Sequence, residues 1–258
     1  MEIITSSQNS LFKQVMKLSQ NRRERIKTQQ TLLDGSHLLA AWLDAGHPIE
    51  KIIVSESGCQ RSEIQALLAR SPAHVVCFAN ALFNQLTDLP SASGVLTVVA
   101  IPAAPIAQYS GFVLLLDGVQ DPGNVGAILR TAQAAGVEQV LLSSACADVW
   151  SPKVLRAGMG AQLALPMIEN ADLCLFASQF KGQIAATLLD GAVDLYDAPL
   201  TGSLALVLGS EGAGVSEALA KMATQRIKIP MQQGIESLNV GHAAAICLYE
   251  IKRQNRST

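Results

Sequence analysis

Residues 111–137 read GFVLLLDGVQDPGNVGAILRTAQAAGV, and the fold class follows from them. The opening FVLLLDGV is a continuous apolar run bounded by turn residues, the pattern of a strand buried on both faces of a parallel sheet. A loop through Asp121-Pro122-Gly123 leads into a helix in which Val125, Ile128, Leu129 and Ala132 fall at i, i+3, i+4 and i+7. Gly136 stands where that helix has to stop. Strand, loop and helix in this order form half of a βαβ unit.

Working outward, the same alternation repeats. Downstream the reading predicts the strand QVLLSS, the helix SPKVLRAGMG, the strands QIAATLL and LALVLGS, a helix from Val215 to about Ala223, the strand RIKIPM and a C-terminal helix. Alternating strands and helices predict an α/β fold with a mostly parallel sheet. Upstream, Ser10 to Gln30 reads as one amphipathic surface helix, Ser36 to Ala45 as a helix stopped at Gly46, and Ser62 onward as a helix ending before Pro72. KIIVSE, HVVCFA and GVLTVVAIP read as short strands. The proline-bearing stretch from Pro102 to Ser110 lacks periodicity and reads as a linker. The expected organisation is therefore a smaller α/β domain over 1–100, a linker over 101–110 and a second α/β domain over 111–258.

Of the 258 residues 49% are hydrophobic and 16% charged, which suits a buried globular chain and argues against disorder. No run of about 18 apolar residues escapes a charge or a breaker, and the first residues lack the order of a secretory signal. The five cysteines lie far apart without a C-x-x-C pair, so neither a zinc site nor a disulfide framework is expected, and the address read is cytoplasmic. A net charge of -2 advertises no nucleic-acid partner, but its distribution is uneven. Lys13, Lys17, Arg22, Arg23, Arg25 and Lys27 stand against Glu24 alone, and Lys252, Arg253 and Arg256 close the chain. Such clusters can neutralise phosphates, or serve as a solvated helix face and a cation-favouring helix end.

Ligands of parallel sheets bind in the loops beyond the carboxyl ends of the strands, and three such loops carry polar or glycine residues that packing does not require. The first holds Asn124, with Arg130 off the apolar stripe of the following helix. The plain alternatives are an N-cap for Asn124 and a solvated Arg130. The second, Gly209-Ser210-Glu211-Gly212-Ala213-Gly214, offers close backbone approach plus one carboxylate. It lacks the G-K-[ST] of a phosphate loop and the spacing of a dinucleotide fingerprint. The third runs from Ile229-Pro230-Met231 to Ser237-Leu238-Asn239-Val240, where both polar residues are good helix caps.

These three stretches, PGNVGAILRTAQAAG, LALVLGSEGAGVS and IKIPMQQGIESLNVGHAAAICLYE, resemble in order and mutual spacing the three motifs of the SpoU/TrmH family of RNA ribose methyltransferases, within the SPOUT superfamily. LLDGSHLLAAWLDAG resembles, more loosely, the start of the L30e-like substrate-binding domain often fused in front. The resemblance implies a deep trefoil knot at the C-terminal end, an exception to the rule against knots. It implies S-adenosylmethionine held in the knotted loops, with contacts at Gly209, Ile229 and Leu238 and, less securely placed, Thr187. It assigns catalytic positions to Asn124, Arg130, Glu211, Ser237 and Asn239. It also implies a homodimer through the knot region, with Arg130 serving the partner's site, and RNA as substrate, ribosomal rather than transfer RNA by analogy.

Two positions depart from the family pattern. Gly241-His242 follows Asn239-Val240 where a serine is usual, and Gly158 stands where a serine is common. His242 reads either as a first-turn residue or as a general base. Rival readings are a transfer-RNA enzyme, a catalytically silent RNA-binding relative, and an α/β enzyme acting on a small molecule. The five intact polar positions argue against the silent relative, and the basic N-terminal segment against a small substrate.

Overall fold

The computed structural model describes residues 2–235 and 237–256. In chain order the elements are β1 (Ile3–Ile4), α1 (Ser10–Gln20), α2 (Arg22–Thr28), β2 (Gln30–Asp34), α3 (Ser36–Asp44), β3 (Lys51–Ser55), α4 (Ser62–Leu68), β4 (His74–Phe78), α5 (Asn80–Phe83), β5 (Val95–Ala100), β6 (Phe112–Asp117), α6 (Pro122–Ala135), β7 (Gln139–Leu142), α7 (Pro152–Gly158), β8 (Met167–Ile168), α8 (Leu173–Gln179), β9 (Gln183–Thr187), β10 (Val193–Asp194), β11 (Leu204–Gly209), α9 (Glu217–Met222), β12 (Gln225–Lys228) and α10 (Val240–Gln254). They form two compact units, one of residues 1–103 with 150–163 and one of residues 104–149 with 164–258.

The front unit is built on a mixed sheet of order β1-β4-β3-β5-β2, in which β5 runs antiparallel to both β2 and β3. Period-2 alternation sends neighbouring residues of β3 to opposite faces. Ile53 joins Phe12, Val15 and Leu18 of α1 on one side, while Ile52 and Val54 join Leu39 of α3 and Ile64 of α4 on the other. The helix expected over Ser10–Gln30 is two helices. Asn21 breaks it with an extended backbone, and its side chain accepts from Arg23 and Glu24 N–H to cap α2. Arg25 is buried and donates to the Leu18 carbonyl at 2.5 Å, filling an acceptor that the end of α1 leaves open.

A second difference concerns α7, which the sequence reading places in the rear domain. The structure puts residues 150–163 in the front unit, where α7 packs on β2. Arg156 there meets Asp34 at the end of β2 at 2.8 Å, and also reaches Asp88. Asp34 is buried and further accepts from the Thr87 and Ser93 hydroxyls at 2.6 Å each. The Thr31 hydroxyl donates to the Trp150 carbonyl.

The rear unit holds a sheet of order β10-β12-β9-β11-β6-β7-β8 in which every pairing is parallel. β6 lies beside β11 along its whole length, with Gly209 opposite Asp117. One face carries Val113, Leu115, Ala205 and Val207 against Leu173 and Phe176 of α8 and Leu219 of α9. The stripe expected on α6 (Val125, Ile128, Leu129, Ala132) is fully buried, and α6 packs against α10, whose Ala244, Cys247, Leu248 and Ile251 are buried in turn. Gly136 ends α6 in the left-handed region (φ 90°), which a residue without Cβ adopts freely. Because the strands are parallel, the loops after β6, β9, β11 and β12 all emerge at one edge. That edge holds the three motifs.

Candidate active site

Asn124 does not cap α6. Asp121 does, its carboxylate accepting from Asn124 N–H at 2.8 Å, with Pro122 in the first turn where no N–H is needed. The Asn124 side chain is thereby left for tertiary contacts. Its Nδ2 donates to Glu211 Oε1 at 2.6 Å, and its Oδ1 accepts from Asn239 Nδ2 at 3.0 Å. Asn239 then caps α10 through its own Oδ1, which accepts from Gly241 N–H at 2.9 Å and His242 N–H at 3.3 Å.

The relay has one internally consistent polarity. A carboxylate only accepts, so Glu211 requires the amide nitrogen of Asn124, whose oxygen must then face a donor. Asn239 supplies that donor and is left with its oxygen for the helix N-terminus. Both amides use nitrogen and oxygen alike, and the loop after β11, the start of α6 and the start of α10 are tied together. Gly241 sits close to this relay. A Cβ there would stand 3.1 Å from Asn239 Oδ1 and 3.6 Å from Asn124 Oδ1, so a serine at this position would crowd the cap.

The glycine-rich loop closes on itself. Ser210 and Gly214 exchange two backbone hydrogen bonds of 3.0 Å, and the Ser210 hydroxyl accepts from Ala213 N–H at 3.1 Å. Gly209 lies beneath, where a Cβ would fall 2.0 Å from the Gly214 carbonyl carbon and 2.1 Å from Val215 N. No side chain fits there. The far end of the loop is held by Asp117, whose Oδ2 accepts from Ser216 N–H at 2.9 Å. Asp117 is a positioning residue that the sequence reading did not single out. Its signal was there, an acidic residue ending an otherwise apolar strand.

The other expected positions divide. Thr187 ends β9, next to β11, and its hydroxyl donates to the Val207 carbonyl at 3.3 Å. Ile229 follows β12 and is half-buried. Leu238 is 38% exposed and Ile235 56%, two apolar side chains left open on the third loop. Ser237 is exposed, and neither it nor Arg130 contacts the relay or an ion-pair partner among the described residues. Glu236 lies outside the described residues. Arg130 is exposed on α6, and the carboxylate of Glu211 is engaged by Asn124 rather than by this guanidinium. His242 is exposed in the first turn of α10.

The carboxylates of Asp117, Asp121 and Glu211 already accept hydrogen bonds. They serve as fixed acceptors that shape loops. What remains open toward solvent is a set of main-chain groups on a rigid loop, apolar surface at Ile235 and Leu238, and the polar tips of Arg130, Ser237 and His242.

Known proteins resemble this chain along nearly its whole length. The chain is 30% identical over 257 residues to the 23S rRNA (guanosine(2553)-2'-O)-methyltransferase RlmP of Bacillus subtilis, covering 98% of this chain and 100% of that one. An AdoMet-bound rRNA methyltransferase from Sinorhizobium meliloti superposes with a TM-score of 0.85 at 28% identity, over 99% of each chain. The SpoU methyltransferase AviRb from Streptomyces viridochromogenes, solved with AdoMet, gives 0.83 at 26% identity over 95% of this chain and 98% of that one. An MRM3-like substrate binding domain matches residues 9–97. The SpoU rRNA Methylase family matches residues 111–249, the stretch that contains the relay and all three loops, and the chain belongs to that family.

Proposed function

We propose that this protein is an S-adenosylmethionine-dependent methyltransferase acting on a ribose 2'-hydroxyl of ribosomal RNA. The observation that carries the reading is the Asn124–Glu211–Asn239 relay, which locks the three loops of the methylase motifs into one site. The curated relative is named for this reaction, and two solved relatives hold the cofactor. The residues present fit that cofactor. Gly209 lets the Gly214–Val215 backbone pack directly on it, which shapes the loop after β11, and Ile235 and Leu238 offer apolar surface to a flat base. Gly209, Ile229, Leu238 and Thr187 are the positions assigned to hold it.

When bound, S-adenosylmethionine supplies an electrophilic methyl group, so the protein's work is positioning the ribose and managing one proton. A guanidinium only donates hydrogen bonds, which makes Arg130 a grip for a nucleotide phosphate and a stabiliser of alkoxide character rather than a base. Ser237 and Asn124 orient the ribose, while Glu211 and Asn239 hold Asn124 in place. The rear unit closes as a knotted, dimeric catalytic domain in which Arg130 serves the partner's site. The front unit binds the RNA substrate, residues 101–110 link the two, and the protein works in the cytoplasm. Among the described residues no helix is long and apolar enough to cross a membrane.

The test is transfer of labelled methyl from S-adenosylmethionine to RNA from cells lacking the protein, with alkaline cleavage mapped alongside. A new alkali-resistant position in ribosomal RNA is the expected result. A methylated base with a cleavable ribose would overturn the ribose assignment, and a resistant position in transfer RNA would move the substrate.

A further inference from the structure

We propose that α1 and α2 form a phosphate-binding ridge on which the front unit seats RNA, with Lys13, Lys17, Arg23 and Lys27 as its contacts. The proposal rests on RNA being the substrate and adds which face receives it. In α1 the core side is Phe12, Val15 and Leu18, and Lys13 and Lys17, four residues apart, share the opposite side. In α2 the buried residue is Arg25, and Arg23 and Lys27, again four apart, share the side turned away from it. All four are exposed. Lys13 bonds the neutral Gln8 side chain at 2.6 Å, and none of the four has a carboxylate within ion-pair distance among the described residues.

The helices themselves explain only part of this placement. Lys17 and Lys27 lie in last turns, where a cation suits the dipole, but like charges at i, i+4 repel and Arg23 in the first turn of α2 opposes its dipole. Glu24 is the sole carboxylate from Leu11 to Gln30 on a chain whose total charge is -2. The ridge is also rigid. Arg25 joins α2 to the carbonyl end of α1, and the Asn21 cap sets the bend between them, so the two pairs of cations stand in a fixed relation. Ile26, 54% exposed between Arg23 and Lys27, adds an apolar surface of the kind that packs against a base or ribose. Fixed cations beside one exposed apolar side chain suit a polyanion with unpaired bases.

The test is equilibrium binding of protein-free ribosomal RNA without cofactor, from low to moderate salt, using full-length protein. The variant Lys13→Gln/Lys17→Gln/Arg23→Gln/Lys27→Gln is compared with a control neutralising Arg70, Lys153, Lys181 and Lys221, which lie elsewhere on the surface. Each phosphate contact contributes about 0.7 to the slope of log affinity against log salt for single strands. The ridge variant is therefore expected to lose at least tenfold in affinity at low salt and up to about three units of slope, the control much less. Unchanged S-adenosylmethionine affinity in the ridge variant shows that the rear site is intact. Equal losses in both variants, or none in the ridge variant, would overturn the ridge while leaving the methyltransferase reading in place. Failure of the wild-type protein to bind RNA would overturn the ridge, and the methyltransferase reading would then be decided by the methyl-transfer assay.

Discussion

Replacing Arg156 by Met should destabilise the front unit by about 3–5 kcal/mol, because it strands a buried carboxylate. The Asp34 side chain is 1% exposed, and Arg156, 18% exposed, is its charged partner at 2.8 Å. Without the guanidinium, Asp34 keeps, among the described residues, the hydroxyls of Thr87 and Ser93. Two neutral donors do not offset the desolvation of a full charge. The second pairing of Arg156, to Asp88, adds little, since the Asp88 side chain is 60% exposed. The informative variant is the double one. Asn at position 34 can still accept from Ser93 and donate to the Thr87 oxygen, and it carries no charge to strand. Asp34→Asn/Arg156→Met should therefore be more stable than Arg156→Met alone by about 2 kcal/mol, a sign that additive losses cannot produce. The chain has 2 tryptophans, Trp42 and Trp150, both buried in the front unit, so their fluorescence follows this unit during urea or thermal unfolding. The single variant should melt roughly 6–20 °C below wild type. A loss below about 1 kcal/mol, or a double variant less stable than the single, would refute the account of Asp34 as a charge held buried by Arg156.

The remaining predictions concern the rear unit. Asn124→Asp sets a carboxylate against Glu211 in place of a donor and should lower methyl transfer tenfold or more with the circular dichroism spectrum unchanged; Asn124→Asp/Glu211→Gln should recover part of it. Gly209→Ala forces a Cβ into the Gly214 backbone, so calorimetry should find S-adenosylmethionine binding abolished. Arg130→Lys keeps the charge but loses the fork, and single-turnover assays should show turnover falling more than cofactor affinity; unchanged turnover would remove Arg130 from the chemistry. Glu250 is buried, and bonds from Arg253, followed by one from Gln254, hold its carboxyl below the usual range. Its stabilising contribution is full at neutral pH and is lost as pH falls below the ordinary glutamate value through the lowered one. Glu250→Gln should therefore flatten the acid side of a melting-temperature profile, and a profile of unchanged steepness would count against the pair.

Where a local pattern determines the outcome, the sequence was legible. The run Phe112–Asp117 can be solvated on neither face and had to be a central strand, and the α6 stripe had one way to bury itself. Asn239 followed by an apolar helix is a cap in any context. The failures share a different cause, in that each depends on a partner far along the chain. Ser10–Gln30 has helical composition throughout, and only the closing of Arg25 onto the Leu18 carbonyl makes a bend at Asn21 the better arrangement. β2 carries just two apolar residues in a row, and becomes a strand because β5 pairs with it along Gln30–Asp34. Arg156 reads as one more cation on an exposed helix until Asp34, 122 residues earlier, is seen to be buried beneath it.

The site obeys the same division. Asn124, Glu211 and Asn239 were all named from motif resemblance, yet the physical reason for Asn at 124 was hidden, because capping explains an Asn at a helix start without further help. Asp121 takes that role, and the taking of it frees Asn124. From there the chemistry follows: an amide offers a donor to a carboxylate and an acceptor to a second amide from two separate atoms, with the reach to span both loops. An aspartate at either amide position breaks the polarity of the relay, and a serine is too short to bridge. The relay thus demands Asn twice and an acid once, on three loops separated by 87 and 115 residues from Asn124. A requirement of that kind is invisible to periodicity and becomes visible only when the parallel sheet brings the three strand ends to one edge.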